Sequence, residues 1–380
     1  MVKKLLRRWR AWRFTYTALV EITISKDRLL HNLHAFQKND QNLAIAPVLK
    51  SNAYGHGLTL VAKIVDTEKI PFIVVDSYHE AMILRNEGIS SGILIIGYTP
   101  FENIETNKLK SIAFTIVSHD QLEEISKNLT RPTDFHIKID TGMHRQGILS
   151  TDSEQAITLL RKNKSIRVVG LCSHLGDQDG VTSIFTNSQI QTWNRTTEIW
   201  KKEFPTLKYF HLGATGGSSY AKDTVANVLR LGVGLYGLDP TDNKRLLNLK
   251  PVLEMKSVIS GTKTIQMGEK VGYSATFEAP HEMRIATVPA GYYEGIDRRL
   301  SNKGYVKIGE NFCPIVGRVS MNITTIDITN IPETTINTPA VIISSETADK
   351  NSIENIVKIT GAIERDLMVH IPQQLRRIIV

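Results

Sequence analysis

One lysine in this sequence has neighbours that suggest covalent chemistry. Lys50 follows the apolar run LAIAPVL, which predicts a strand, and precedes the run SNAYGHG. A lysine that loses its proton in a desolvated pocket can form a Schiff base with the aldehyde of a cofactor. Glycines around an aromatic ring and a histidine are typical of backbone that packs closely against a ligand. A lone lysine at a strand end would be an ordinary surface residue, so the prediction depends on the run that follows it.

The elements that would position this lysine are indicated by an alternating pattern. Between about residues 27 and 236, short apolar runs alternate with segments of helical periodicity. The runs are residues 43–49, 72–75, 93–96, 113–117, 135–139, 168–172 and 231–236. The helical segments include residues 60–65, 80–85, 154–161 and 190–200. About eight such repeats predict a (β/α)8 TIM-type barrel over residues 27–244, an α/β fold whose active sites form at the carboxyl ends of the strands.

The pattern changes after the run DPTDN at residues 239–243. Short alternating runs with turn residues between them follow, at residues 252–260, 284–288, 305–308, 315–319, 324–328 and 340–344. They predict a second, mostly β domain over residues 245–380. Residues 19–26 are also strand-like and precede the barrel, so we expect this segment to pair with the C-terminal domain.

The charge distribution argues against a nucleic-acid-binding protein. The formal net charge is +8, but six lysines and arginines lie within the first 13 residues, and the remainder is nearly balanced. We interpret residues 1–18 as a basic, solvated extension, with contact to an anionic lipid surface as the alternative. The sequence has no convincing signal peptide and no run of 18 apolar residues, so we predict a cytoplasmic protein without stable membrane insertion.

The two cysteines indicate no disulfide framework. Cys172 and Cys313 each lie in an apolar, strand-like stretch. A cysteine in such a stretch behaves as a small buried hydrophobic residue. We therefore predict two buried, reduced thiols, and we predict no metal site.

Eight segments resemble those of alanine racemases, in that family's order and from about residue 20 to about residue 375. They are PVLKSNAYGHG, HIKIDTGMHRQG, CSHLGDQD, HLGATGG, VLRLGVGLYGL, VGYSATF, PAGYYEG and VGRVSMN. The resemblance implies an enzyme that uses pyridoxal 5′-phosphate to interconvert L-alanine and D-alanine. It also implies a homodimer with shared active sites, which supplies D-alanine for peptidoglycan.

Racemisation needs two acid/base groups, because the α-proton leaves one face of a planar imine and returns on the other. By resemblance, Lys50 is one base and Tyr273 of the partner subunit is the other. Arg145 and His174 match residues near that tyrosine, whose ordinary pKa of about 10 calls for a cationic neighbour. Outside this pattern, Tyr273 would be interpreted as a packed turn aromatic.

Other residues match the family's cofactor site, to which His174 also belongs. Arg230 matches the residue that faces the pyridine nitrogen, and His211 matches the residue that orients this arginine. Because an arginine keeps its proton, the nitrogen stays unprotonated, and the weaker electron withdrawal suppresses side reactions. Taken alone, Arg230 would be a salt-bridged strand residue and His211 a core histidine. The residues that match phosphate-binding positions are Tyr54, Thr215, Gly232 and Val233.

The substrate site is implied in the same way. Arg145 matches the residue that binds the substrate carboxylate, a bidentate task suited to a guanidinium. Lys138 matches a lysine that can carry a carbamate and brace this arginine. Met321 of the partner subunit matches a backbone contact to the same carboxylate. Tyr292 matches an aromatic residue that narrows the entrance.

Three positions depart from the family pattern. Ala214 stands where asparagine is frequent, Asn322 stands where aspartate is usual, and Gln373 aligns loosely with a tyrosine. These departures leave open a racemase of serine or of a broader range of amino acids. A non-catalytic pyridoxal-phosphate-binding protein is a further alternative, although such relatives are single barrels without residues like 245–380. A barrel decarboxylase is disfavoured by Arg230, because decarboxylation benefits from a strong electron sink.

Overall fold

The computed structural model describes residues 16–177, 184–240 and 247–380. Most of the basic extension predicted for residues 1–18 lies outside the described residues. The described residues form two compact units, one within Ser25–Val252 and one that joins residues 16–24 to Leu253–Val380. The strand β1 (Glu21–Ile24) belongs to the latter.

The unit Ser25–Val252 contains a closed ring of parallel strands. They are β2 (Ala44–Pro47), β3 (Ile73–Val75), β4 (Ile93–Ile95), β5 (Ile112–Ile116), β6 (Thr133–Asp140), β8 (Ile166–Cys172), β9 (Tyr209–His211) and β10 (Val228–Leu231). The short strand β7 (Ile148–Leu149) pairs with the end of β6 and is not part of the ring. Parallel pairing runs from β3 through β6 to β8 and β9, and β10 pairs with β2. A bridge from Val48 to Val74 joins β2 to β3, and the Arg230 amide donates to the Gly213 carbonyl just beyond β9. The predicted (β/α)8 barrel is therefore confirmed.

Helices connect the strands of the ring. They are α1 (Lys26–Asn39), α2 (Leu58–Val65), α3 (Tyr78–Asn86), α4 (Phe101–Glu105), α5 (His119–Asn128), α6 (Ser153–Lys162) and α7 (Ile184–Glu203), with the 3-10 helix Gly216–Asp223 between β9 and β10. Ser25, Ser77 and Ser118 begin three of them, and each side chain accepts a hydrogen bond from an amide of the first turn. Among the described helices, none has both the length and the apolar character needed to span a membrane.

The apolar run at residues 231–236 is not a strand, so this part of the sequence prediction was wrong. The strand β10 ends at Leu231, and Val233–Tyr236 forms a 3-10 turn. Gly232 and Gly234 interrupt the run, and glycine weakens a strand interior. Gly237 ends the turn with a φ of 89°, which glycine adopts without steric cost.

Buried apolar side chains of the strands form the core of the barrel. One cluster contains Ala46, Val48, Phe72, Val74, Leu94 and Val228. Burying a side chain of the size of valine, leucine or phenylalanine contributes about 1.5–3 kcal/mol. Cys172 lies in this unit and Cys313 in the other, and both are buried, unpaired thiols, as predicted.

The unit with Leu253–Val380 is mostly β. Its elements after β1 are β11 (Leu253–Val258), β12 (Gly261–Ile265), β13 (Lys270–Val271), β14 (Phe277–Glu278), β15 (Met283–Val288), β16 (Tyr305–Ile308), β17 (Asn311–Pro314), β18 (Thr324–Asp327), β19 (Pro339–Ile343), α8 (Ile353–Thr360), α9 (Glu364–Val369) and β20 (Arg376–Ile379). One sheet has the order β17-β16-β19-β11-β1-β20, and β12, β15 and β18 form another. The strand β1 pairs antiparallel with β11 and parallel with β20.

Residues 315–319 were also predicted as a strand, and this prediction was wrong. A single bridge joins Ile315 to Ile326, and the chain then turns away. Gly317 has a φ of 77°, and a Cβ at this position would lie 2.7 Å from the Val271 carbonyl oxygen. Hydrophobic alternation continues through this glycine, but the backbone it allows is not extended.

Candidate active site

Lys50 lies just beyond the end of β2, at the start of a left-handed turn. Ser51, Asn52, Ala53 and Tyr54 have φ values of 55°, 56°, 52° and 51°. The left-handed conformation costs a non-glycine residue roughly 1–2 kcal/mol, because its Cβ crowds the following carbonyl oxygen. Four such residues in succession can persist only where the surrounding structure holds them.

Side chains from the neighbouring βα segment hold this turn. Glu80 accepts the Ser51 amide through Oε1 (2.7 Å) and the Asp76 amide through Oε2 (2.9 Å). Within the turn, Asn52 Oδ1 accepts the Leu58 amide at 2.9 Å. Lys50 Nζ lies 3.5 Å from Asp76 Oδ1. Glu80 therefore positions both the lysine and its carboxylate neighbour, and sequence reasoning assigned neither Glu80 nor Asp76.

Arg230 is a buried cation in β10, with 6% of its surface exposed. Its Nη1 donates to His211 Nδ1 (2.6 Å) and to the His211 carbonyl (2.8 Å). Its Nη2 donates to the carbonyls of Ser173 (2.8 Å) and Leu212 (3.0 Å), and lies 3.1 Å from His174 Nδ1. These acceptors hold the guanidinium plane in one orientation.

The histidines around Arg230 are neutral. Burial, followed by the charge of Arg230, lowers the pKa of His174 to about 2 and that of His211 well below its ordinary value. A neutral imidazole keeps one nitrogen as an acceptor, and both rings turn that nitrogen toward the guanidinium. The cluster therefore carries one positive charge, on Arg230.

Four residues are predicted to bind a phosphate, and three of them, Tyr54, Thr215 and Gly232, lie close together. A Cβ on Gly232 would lie 3.0 Å from Tyr54 Oη and 3.9 Å from Thr215 Oγ1. The Thr215 hydroxyl also accepts the Gly234 amide at 3.1 Å. Thr215 begins the helix Gly216–Asp223, and Val233 begins the 3-10 turn after β10. Hydroxyls and the amides of helix starts are the donors that a phosphate group takes.

Arg145 lies in the segment that follows β6, and its side chain is exposed. Asp140 Oδ1 fixes this segment by accepting the amides of Gly142 (2.8 Å) and His144 (3.1 Å). Nearby, Lys138 Nζ donates to Gln146 Oε1 at 3.3 Å. Burial lowers the pKa of Lys138, and the charges of Arg230 and Arg145 add to this effect. The lysine is thus partly buried among cations and is not the exposed residue that a lone barrel lysine would be.

Three of the predicted site residues lie in the other unit, and all three are exposed. Tyr273 is 70% exposed, Met321 56% and Tyr292 45%. Tyr273 follows Gly272, whose φ is 74°. The amide of Tyr292 donates to the Ser320 carbonyl at 3.0 Å, so two short loops bring Tyr292 and Met321 together.

Comparison with known proteins identifies the chain. The model described as "Alanine racemase, N-terminal domain" matches residues 24–240, and "Alanine racemase, C-terminal domain" matches residues 252–379. This chain belongs to the alanine racemase family. The family's members are isomerases, and this protein is therefore an isomerase.

Full-length relatives agree with the family match. Alanine racemase 1 of Clostridium acetobutylicum is 30% identical over 375 residues, which cover 97% of each chain. The solved alanine racemase of Clostridium difficile 630 is 27% identical, has a TM-score of 0.88, and covers 96% of this chain and 97% of its own. The alanine racemase of Bacillus anthracis with bound L-Ala-P is 25% identical, with a TM-score of 0.87 and coverage of 97% and 96%.

The departure at Asn322 has a physical account in this member of the family. Asn322 Nδ2 donates to Glu294 Oε1 at 2.8 Å, and Glu294 Oε2 accepts the Gly291 amide at 2.8 Å. Glu294 is buried, so an aspartate at position 322 would set two carboxylates side by side. The asparagine thus satisfies a carboxylate that orders the loop carrying Tyr292.

Proposed function

We propose that this chain interconverts L-alanine and D-alanine with pyridoxal 5′-phosphate as its cofactor. The observation that carries the proposal is the buried Arg230, held by two neutral histidines and three carbonyls, in the same barrel mouth as Lys50. The positive charge of Lys50 is close enough to contribute to the lowered pKa of His174. A lysine and a fixed cation in one polar cleft suit a cofactor with an aldehyde and a ring nitrogen.

The residues present fit this cofactor. Tyr54, Thr215, Gly232 and Val233 would hold the phosphate, Arg230 would face the ring nitrogen, and Lys50 would bind the aldehyde carbon. Gly232 leaves the space beside the Tyr54 hydroxyl that a Cβ would fill. When bound, the cofactor withdraws electrons from the α-carbon of the amino acid, so that its proton becomes removable.

Two side chains would move that proton. Lys50 Nζ takes or returns it on one face of the α-carbon, and the hydroxyl oxygen of the partner subunit's Tyr273 does so on the other. Arg145 binds the substrate carboxylate, and Asp140 keeps the segment that carries Arg145 in place. Two bases on opposite faces are what a reaction that inverts a carbon centre requires.

Arg230 selects the reaction. A guanidinium that keeps its proton leaves the ring nitrogen without one, and this limits the electron withdrawal that decarboxylation and transamination need. Burial lowers the pKa of Arg230, whereas the hydrogen bonds that it donates to five acceptors favour the protonated guanidinium. The enzyme therefore moves a proton and leaves the other bonds of the substrate intact.

The functional enzyme is proposed to be a homodimer in a bacterial cytoplasm, where it supplies D-alanine for peptidoglycan. The exposed Tyr273, Tyr292 and Met321 support the dimer, because each is available to a second copy of the chain.

Lys138 is proposed to carry a carbamate, since an amine with a lowered pKa is more often in the neutral form that reacts with carbon dioxide.

The proposal is tested by assaying L-alanine conversion to D-alanine with and without added cofactor, and by recording absorbance at about 420 nm, where the lysine-bound cofactor absorbs. We expect a yellow protein that racemises alanine faster than serine. A yellow protein that racemises serine or other amino acids faster than alanine would show that alanine is not its preferred substrate. One that racemises none would favour the non-catalytic alternative, and a protein that stays colourless with added cofactor would overturn the proposal.

A further inference from the structure

A second buried histidine stands behind His211. His136 lies in β6 with 1% of its surface exposed, and no part of the family resemblance assigned it a role. Its Nδ1 lies 2.7 Å from His211 Nε2, on the side of that ring opposite Arg230. His211 Nδ1 lies 2.6 Å from Arg230 Nη1. The three side chains form a short, continuous line of hydrogen bonds.

The direction of these bonds follows from chemistry. A guanidinium nitrogen can only donate, so His211 Nδ1 accepts from Arg230. Burial keeps His211 neutral, and its single proton must then reside on Nε2. That proton points at His136 Nδ1, which accepts it. Arg230 at Nδ1 and His136 at Nε2 together hold His211 in the one tautomer that can receive the arginine.

The residues around the His136 ring pack closely against it. A Cβ on Gly170, in the adjacent β8, would lie 2.2 Å from His136 Nδ1, so the glycine is required beside the ring. The ring contacts Phe72 edge-on, with centroids 5.5 Å apart, and stacks on Tyr209 at 5.7 Å. Burial lowers the pKa of His136 to about 3, so it stays neutral and able to accept.

We propose that His136 is a positioning residue for the racemisation reaction, since it fixes the tautomer of His211 and through it the orientation of Arg230. The inference rests on the proposed function for its consequence, but the hydrogen-bond line exists in the protein chain alone. Without the acceptor, His211 Nε2–H is left unpaired in the core. If the proton moves to Nδ1 instead, it faces Arg230 Nη1 donor against donor.

Two substitutions separate the acceptor from the ring. His136→Phe keeps a planar ring and removes the acceptor, whereas His136→Asn places an amide oxygen near the position of Nδ1 and removes the ring. His34→Phe, at a histidine that is paired with Glu68 on the surface, serves as the control. The first measurement is the nitrogen-15 spectrum of histidine-labelled, cofactor-free protein, with the His211 signals assigned from their loss in His211→Asn.

We expect an unprotonated Nδ1 and a protonated Nε2 for His211 in the wild type, the control and His136→Asn, and a loss of that pattern in His136→Phe. The second measurement is catalysis. In His136→Phe, kcat should fall about tenfold with a smaller change in KM, which corresponds to about 1.4 kcal/mol, the scale of one buried hydrogen bond. Pyruvate formed per racemisation turnover should rise, because a displaced Arg230 no longer restrains transfer of the amino group to the cofactor.

Several results would overturn the inference. They are a His211 with its proton on Nδ1 in the wild type, a His136→Phe variant with wild-type tautomer, kcat and pyruvate ratio, or a His136→Asn variant as impaired as His136→Phe. If His136→Phe does not fold, as judged by circular dichroism, the tautomer in His136→Asn decides. A wild type that binds no cofactor would contradict the proposed function instead, and the cofactor-free spectrum would still test the role of His136.

Discussion

The candidate site residues of the barrel and those of the other unit differ in how far contacts within one chain fix them. In the barrel, Arg230 and His211 are buried and joined by hydrogen bonds of 3.1 Å or less. In the other unit, Tyr273 and Met321 are exposed side chains on short turns. A buried cation must be satisfied by its own chain, whereas an exposed aromatic is available to another surface. Under the proposed function, the residues that would hold the cofactor all come from one barrel, whereas the residue proposed as the second base is exposed on the other unit.

The largest effect that tests this comparison is complementation between two inactive variants. Lys50→Ala removes the base of the barrel, and Tyr273→Phe removes the outward base, so each should lower racemisation by at least about 100- to 10,000-fold. If the bases of one site come from two chains, mixed dimers contain one intact site. Random reassortment should then restore about one quarter of wild-type activity.

The measurement is D-alanine formation after the two variants are mixed, partly unfolded and refolded together. A double variant, Lys50→Ala with Tyr273→Phe, mixed with either single variant provides the control and should stay inactive. No recovery, although mass spectrometry shows that mixed dimers have formed, would mean that both bases come from the same chain.

The next largest effect concerns the buried histidines of the barrel, which should make the stability of the protein depend on pH. The pKa of His136 is lowered to about 3 in the folded state, below the ordinary value of about 6.5 expected when unfolded. The unfolded chain therefore binds more protons below pH 6.5, and folding stability falls as the pH falls through that window. Each pH unit costs at most about 1.4 kcal/mol per histidine.

Urea unfolding of the wild type and of His136→Asn between pH 7 and pH 4.5 measures this dependence. The free energy of unfolding of the variant should fall less steeply with falling pH. The difference corresponds to about one proton fewer taken up on unfolding, because the variant lacks one of these neutral histidines. His34→Asn, the same substitution at a partly exposed ring, is the matched control. Equal slopes for His136→Asn and the wild type would show that His136 does not remain neutral in the fold.

A smaller effect is expected where Glu80 holds the turn that begins at Lys50. Glu80→Gln replaces one accepting oxygen with a donor that would face a backbone amide, so stability should fall by about 1–2 kcal/mol. Activity should fall with it, because the turn carries the lysine. Glu87→Gln, in the same segment and ion-paired with Lys63 at the surface, is the matched control and should change stability by less than about 0.5 kcal/mol. Urea unfolding and the racemisation assay measure both; equal losses in the two variants would contradict the role given to Glu80.

The smallest effect is expected at the loop that carries Tyr292. Asn322→Asp restores the residue usual in the family but places a carboxylate against Glu294, and stability at pH 8 should fall by up to about 1 kcal/mol. Protonation of either carboxyl group removes the repulsion, so the loss of stability should diminish as the pH falls toward 4.5. Asn302→Asp, on another loop of the same unit, is the comparison variant. A loss that does not depend on pH would exclude carboxylate repulsion as its cause.

The fold was predictable to the extent that hydrophobic pattern determines it. The alternation of apolar and helical segments predicted the barrel, because buried parallel strands and amphipathic helices leave distinct periodicities. The two false strands, at residues 231–236 and 315–319, share one cause. In both, glycines let the chain turn within an apolar run, and hydrophobicity carries no information about φ.

The site was predictable only in part. Lys50, Arg230 and the residues proposed to bind a phosphate were predicted through segments that resemble those of the family. Asp76, Glu80 and His136 were not, because their roles come from contacts between different strands and helices. The available signal for Asp76 was its position directly after β3, since a polar residue at the carboxyl end of a barrel strand lies where active sites form.

The left-handed turn at residues 51–54 has a consequence for the order in which the protein assembles. No local preference favours this path, so the segment cannot nucleate on its own while the chain is being synthesised. Asn52 supplies one acceptor locally, but the Glu80 carboxylate can accept the Ser51 amide only when β3 and α3 are in place. A nascent chain that has only just exposed Lys50 therefore lacks the contacts that fix the position of this lysine, and it acquires them once α3 has formed.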